Sequence, residues 1–226
     1  MIANNIEDLV KEVAIQEVLN PTWGAVEEYL KVLKIKTVDG VPQIEHVECT
    51  SAEGYTVYFP IESERFYLKI FVDASNNEVK VGGSYVYSGS RVYLYVDSQE
   101  RSESDLLSNC AIKPSKSWDK GSRRFVGKRP TPMYHKDSGI NLEPDSNLYV
   151  SAETKTRNLL ASLERTDFLE KIQPYDDSII VIVMYCYYGN GNIDFISFEQ
   201  EIVAAAGKLG LSIEFDVYVS GEPFGS

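Results

Sequence analysis

At Lys34 the spacing of apolar residues changes from three and four to two, and it stays near two until Asp97. This switch limits the fold. A chain that opens on amphipathic helices and continues into short alternating strands must bury one stripe of each helix against one face of a sheet. Before the switch, Ile6, Leu9, Val10, Val13, Ile15 and Leu19 recur at helical steps, and Asn20-Pro21 stops them. Thr22 fits an N-cap, and Val26, Tyr29, Leu30 and Leu33 predict a second helix over 23–34. After the switch, IKTVDGVPQIEHVEC, GYTVYFPI, RFYLKIFVD and EVKVGGSYVYS read as strands. Turn residues at Asp39-Gly40, Ser51 to Gly54, Pro60 to Ser63 and Ser75 to Asn77 separate them, which predicts an antiparallel meander. Residues 1–90 therefore form a first module.

A second module is expected over 91–226. Arg91 to Asp97 alternates, and Ser102 or Ser104 can cap a short helix through SDLLSNCA. Leu148 to Val150 reads as a strand, and Leu159, Leu160, Leu163, Phe168, Leu169 and Ile172 predict one helix ended by Pro174. SIIVIVMYCYY is the most apolar run and reads as a central strand, turned by Gly189 to Asn192. Ser197 fits the N-cap of a helix carrying Ile202, Val203, Ala206 and Leu209, with Gly210 closing it. Leu211, Ile213, Phe215, Val217 and Val219 then share one face of a last strand. The fold class is α+β: two small modules, each a mostly antiparallel sheet with helices packed on one face.

Charge is segregated along the chain. Lys113 to Lys136 holds eight Lys and Arg and one acid, Asp119, whereas the whole chain carries −12. Without that stretch the balance is −19. Being punctuated by Pro and Gly, the stretch reads as a basic loop. It could clamp onto the protein's own acidic body, be an ordinary mobile loop, meet a protein partner, or meet nucleic acid through Arg123, Arg124, Lys128 and Arg129 with Trp118, Phe125 and Tyr134 for stacking. The internal clamp is expected, because the acidic body is always at hand and would repel a nucleic acid. His135, in the same loop, could contact an anion.

Other chemistry finds little support in the residues. Cys49, Cys110 and Cys186 are widely spaced, with no CxxC, so neither a disulfide framework, a zinc site nor a reactive thiol is expected. His46 and His135 lack ligand-spaced partners, and no nucleophile elbow or phosphate-cradling loop occurs. No metal, cofactor or catalytic residue is expected. No basic leader precedes an apolar run, and no apolar run reaches the roughly 20 residues of a bilayer span, so a cytoplasmic protein without membrane contact is expected. Fifteen tyrosines suit both strands and binding faces.

The second module resembles the bacterial family called domain of unknown function 4279. The resemblance rests on Ala111-Ile112-Lys113-Pro114, on Trp118, Lys120 and Gly121 ahead of Arg123 and Arg124, on the Leu-rich helix and buried strand, and on the closing LGLSIEFDVY. It implies a small α/β domain of a kind found near bacterial toxin systems, where several immunity proteins are similarly acidic and cytoplasmic, and it brings no catalytic residues. The function expected is a non-enzymatic immunity or antitoxin-type protein that covers the active site of a basic toxin domain such as a nuclease. Its acidic contact candidates are Glu62, Glu64, Glu100, Glu103, Asp176 and Asp177, with Tyr175 as an aromatic neighbour. The alternative is a binding or enzymatic domain that holds a small anionic ligand with Trp118, Arg123, Arg124, Lys128, Arg129, Tyr134 and His135 of the stretch 113–136.

Overall fold

The computed structural model describes residues 2–75, 78–108, 110, 112–172, 177–189 and 196–222, without the side chains of residues 2–5 and 177. It has the α+β character read from the periodicity and comprises two compact units. One contains residues 1–89 with 185–195 and 217–226, and the other contains 90–184 with 196–216. Where the sequence suggests one division near residue 90, the ends of the last two strands group with the first unit instead.

The first unit begins with α1 (Ile2–Leu19) and α2 (Gly24–Val32). Thr22 is not the N-cap of α2. Trp23 takes that position without a side-chain cap, and the cap comes from the preceding helix. Glu17 is buried, and its Oε1 accepts the N–H groups of Thr22 at 2.9 Å and Trp23 at 2.7 Å while its Oε2 accepts the Thr22 hydroxyl. A carboxylate reaching from α1 thus satisfies the N–H groups just ahead of α2 and at its N-cap position.

A small hairpin follows, β1 (Thr37–Val38) and β2 (Val41–Pro42). Asp39 and Gly40 both have positive φ, as a I′ turn demands. The predicted meander is then β3 (His46–Cys49), β4 (Gly54–Pro60), β5 (Tyr67–Asp73) and β6 (Lys80–Tyr87), paired antiparallel in that order. Val57, Phe59, Leu68, Ile70, Val72 and Val86 point to one face and form a core with Val10, Ala14, Val26, Tyr29 and Leu33 of the helical segment.

The second unit is built on a five-stranded sheet. Its elements are β7 (Gly89–Ser98), α3 (Glu103–Ser108), β8 (Lys116–Trp118), β9 (Arg123–Val126), β10 (Arg129–Tyr134), β11 (Ser138–Leu142), α4 (Ala152–Glu164), α5 (Phe168–Lys171), β12 (Asp177–Tyr187), α6 (Gln200–Lys208) and β13 (Ser212–Ser220). The sheet order is β13-β12-β7-β11-β8, with β11 antiparallel to both β7 and β8. Val92, Leu94 and Val96 of β7 and Ile140 and Leu142 of β11 are buried, as are Leu159, Leu160, Leu163, Phe168, Ile202 and Ala206 of the helices. Ser102 and Asp105 cap α3 reciprocally, each accepting the other's backbone N–H.

Several local expectations are corrected. Leu148 to Val150 is a turn rather than a strand, tied down where Leu148 O accepts the Ser90 N–H and Val150 O accepts the Ser90 hydroxyl. The strand in that region is β11, whose SGINL core is too short to show a clear period. The Leu-rich helix is two helices, because the chain leaves helical hydrogen bonding at Arg165 to Asp167. Glu199, not Ser197, precedes α6, although Gly210 closes it at φ +69° as expected. Pro174 and Asn190 to Asn192 lie outside the described residues.

Candidate functional site

Alternation along β7 leaves Tyr93 and Tyr95 on the face opposite the buried Val92, Leu94 and Val96. Neighbouring strands extend that face. Tyr95, Asn141 and Lys116 lie in one cross-strand row, and Asp97, Gly139 and Trp118 in the next. At Gly139 a Cβ would fall 2.2 Å from Trp118 Cζ2, so the indole lies flat over the glycine of its own row. Trp118 is 7% exposed and donates Nε1–H to Asp137 Oδ1 at 3.1 Å. Tyr95 stacks near it at 5.6 Å between centroids, and His135 at 5.2 Å.

The basic stretch, expected as a loop, is mostly strand. It supplies β8 and then a hairpin, β9 and β10, in which Gly127 at φ +60° takes the first of the two turn positions, where a II′ turn requires glycine. Pro and Gly had signalled a loop, but here they mark a turn and a two-stranded ribbon with an irregular register between Pro130 and Tyr134. The ribbon is pinned at its base. Gly121 donates its N–H to His135 O and His135 donates its own to Ser122 O. Lys120 N–H reaches Ser138 Oγ. Asp119, the one acid of the stretch, accepts the N–H of Glu103 at the start of α3 and the Ser138 hydroxyl, and these hydrogen bonds hold its carboxyl below the usual range.

Between sheet face and ribbon lies a cleft of about 610 Å³, inside the roughly 300–1,000 Å³ of small-molecule sites. Tyr93, Tyr95 and Trp118 line its aromatic side. Lys116, Arg124 and Lys136 bring three cations, and Asp137 is the one carboxylate among its lining residues. Asn141 Oδ1 is buried at the cleft with no hydrogen-bond partner, an acceptor left for a donor that the protein does not supply. Burial first, and then the charges of Arg124 and Lys116, hold the His135 imidazole below its ordinary value despite Asp137. That ring is therefore neutral at pH 7.

The internal clamp is not formed. Among the described residues none of the Lys or Arg between 113 and 136 makes a salt bridge. Their contacts are with rings and carbonyls: Lys116 Nζ lies 5.6 Å from the Trp118 ring, Arg123 is 5.9 Å from that of Tyr134, and Lys120 Nζ donates to Gln99 O. Elsewhere on the same sheet the opposite holds, for Arg91 is held by both oxygens of Glu143.

Of the anion candidates, Trp118, Arg124, Tyr134 and His135 come together in the cleft, while Arg123, Lys128 and Arg129 do not line it. Tyr93, Tyr95, Lys116 and Asn141 were missed, and strand alternation alone would have joined them once β11 was recognised. The acidic candidates divide between units. Glu62 and Glu64 sit in the β4–β5 turn, where Glu64 accepts the Ser220 hydroxyl at 2.8 Å, while Glu100 sits between β7 and α3 and Glu103 begins α3. Tyr175 and Asp176 lie outside the described residues, and Asp177 is described only as the first backbone position of β12.

None of the three cysteines forms a disulfide, Cys186 is buried, and burial pushes the Cys110 thiol up to about 11, so it carries no thiolate at neutral pH. No group of three His, Cys, Asp or Glu among the described residues could hold a metal ion. No helix there is long and apolar enough to cross a membrane.

The family model for Domain of unknown function (DUF4279) matches residues 88–220. The chain belongs to this family. The match spans β7 to β13 and with them the whole cleft. No curated protein and no solved structure matches the chain.

Proposed function

We propose that the second unit is a non-catalytic binding module for a small anionic ligand with a planar ring and a hydrogen-bond donor. The observation that carries this reading is the cleft itself, in which three cations without acid partners border an aromatic wall and a buried orphan acceptor. An anionic group would sit between Lys116 and Arg124, a ring would lie along Tyr93 and Tyr134, and its N–H or O–H would satisfy Asn141 Oδ1. The test is calorimetry of the full chain with nucleoside monophosphates, aromatic carboxylates and inorganic phosphate. Saturable binding that weakens about tenfold in Arg124→Ala and in Lys116→Ala, but not in Lys128→Ala, supports it. Loss of binding that is equal in all three variants reduces the site to general positive charge.

A second reading, an inhibitor that covers a basic toxin domain, is supported by the net charge of −12 and by the exposed acids Glu62 and Glu100. Capture of a small basic protein encoded beside this one, with an association rate that falls as salt rises, would support it. A salt-independent rate removes electrostatic steering from the account.

A further inference from the structure

β13 is the terminal strand of its sheet, and among the described residues no element pairs with its outer edge. Sheet edges are commonly blunted by short length, lysine, proline or a bulge, since a row of unpaired N–H and C=O groups invites another strand. The other edges of the two larger sheets follow that rule. β8 has three residues and Lys116, β3 has four with His46 and Glu48, and β6 carries Lys80, adjacent glycines and a register shift opposite Phe71 and Val72. β13 has nine residues, SIEFDVYVS, with no lysine, no proline and no glycine, and Glu214 and Asp216 are its only charged residues. Its apolar residues are unusually bare: Phe215 is 45% exposed, Val217 43%, Tyr218 54% and Val219 43%.

We propose that the outer edge of β13 is a docking site for an extended segment of another protein in which basic and apolar residues alternate. Strand addition satisfies the free backbone groups, and side-chain alternation sets the chemistry on each face. Ile213, Phe215, Val217 and Val219 offer an apolar row on one face, with Phe198 6.0 Å from Phe215 between ring centroids. Glu214 and Asp216 share the other face with Tyr218, which stacks on Tyr185 at 5.7 Å. A strand with Lys or Arg opposite the acids and Val, Ile or Phe opposite the apolar row matches both. A second copy of this chain does not match, because the fully overlapping antiparallel register sets Asp216 against Asp216 and brings together two chains of −12 each. The inference adds a surface and a partner chemistry to the inhibitor reading, and it is independent of the cleft.

The test uses the full chain and a fluorescein-labelled peptide alternating Lys with Val, read by anisotropy and by amide hydrogen exchange. Expected are saturable binding, slowed exchange at the amides of Ser212 to Ser220, and affinity about tenfold weaker for the Glu214→Lys/Asp216→Lys variant. A peptide of the same composition with Lys and Val in separate blocks is expected to bind weakly. Methylating alternate backbone nitrogens of the alternating peptide should abolish binding to the unaltered protein, which tests strand addition without any variant. Equal binding of the block or methylated peptide, exchange unchanged along β13, or no binding at all overturns the proposal. The peptide reads the edge directly, so a failed search for a toxin partner and a failed edge are separate results.

Discussion

Both units set cations against aromatic rings on a sheet face, and they do so to opposite ends. In the first unit Tyr58, Lys69 and Tyr85 form one cross-strand row, and Lys69 Nζ lies 4.5 Å from the Tyr58 ring, 5.3 Å from that of Tyr85 and 3.5 Å from that of Tyr87. Lys69 is 8% exposed, so the chain fills this cage with its own side chain. In the second unit the row Tyr95, Asn141, Lys116 leaves its cation at the rim and its acceptor unsatisfied. The same residue types make a closed structural element in one place and an open cleft in the other. What separates them is whether the cation lies inside the ring cluster or beside it.

The most severe way to break this contrast is to empty the closed cage. Lys69→Ala removes a desolvated cation and the volume of its stem, and it should cost about 3 kcal/mol in urea unfolding. Lys69→Met keeps most of the stem, so about half of that loss should return if packing and charge share the role. Equal stability of Lys69→Ala and the unaltered protein would mean that the rings hold themselves. Tyr58 is bound into the same cluster. Burial and the hydrogen bond it donates to Glu48 at 2.6 Å hold its phenol above the ordinary range.

Filling the open cleft from below comes next. Gly139→Ala places a methyl group against Trp118, whose ring is enclosed by Tyr95, His135 and the Asp137 hydrogen bond. A cost of about 2 kcal/mol and loss of anion binding are expected, because the indole must leave its row. Retained binding with unchanged tryptophan fluorescence would show that the indole can slide without effect on the cleft.

A second buried cation sharpens the comparison by lacking rings. Lys155 on α4 is 2% exposed and donates to Ser90 O at 2.5 Å. Burial lowers its pKa to about 8, against the upward pull of Asp145 and Glu143. The unfolded chain therefore holds the proton more tightly between pH 8 and the ordinary lysine value, so stability contributed by this group rises with pH across that window. The gain from pH 8 to 10 is about 2 kcal/mol at most. Relative to Lys155→Met, the unaltered protein should show this rise in its unfolding free energy, and parallel curves would place the ammonium in water.

How far the sequence reaches can be judged from particular residues. The meander of β3 to β6 was legible because each strand is long enough to alternate and each turn carries Gly, Asn, Asp or Pro. The helices α1 and α2 were legible from their stripes, but the acceptor at the start of α2 is the Glu17 carboxylate of α1, which no N-cap motif encodes. The cleft was half legible. Charge segregation found its ribbon, yet its floor depends on β11, whose five residues mix Ser, Gly and Asn and resemble a loop. Lys69 looked like any polar residue of an alternating strand, and only its neighbours on β4 and β6 make it a buried one.

The smallest expected effect bears on whether the open cleft completes itself with a ligand as the closed one does with Lys69. His135 faces Lys116, Arg124, Asp137 and Trp118, and burial with the two cations holds its imidazole below the ordinary value. In the free protein, stability should therefore fall as pH drops through the ordinary histidine range, because the unfolded chain takes the proton first. A bound anion offsets the two cations and favours the imidazolium. By linkage, affinity must then rise as pH falls. An aromatic sulfonate is the suitable probe, since its own charge does not titrate in this range. Its affinity should rise from pH 7 to pH 5 in the unaltered protein and stay level in His135→Phe, which keeps a ring beside Trp118. The same rise in both proteins would assign the effect to other carboxylates, and a flat profile in both would remove His135 from contact with the anion.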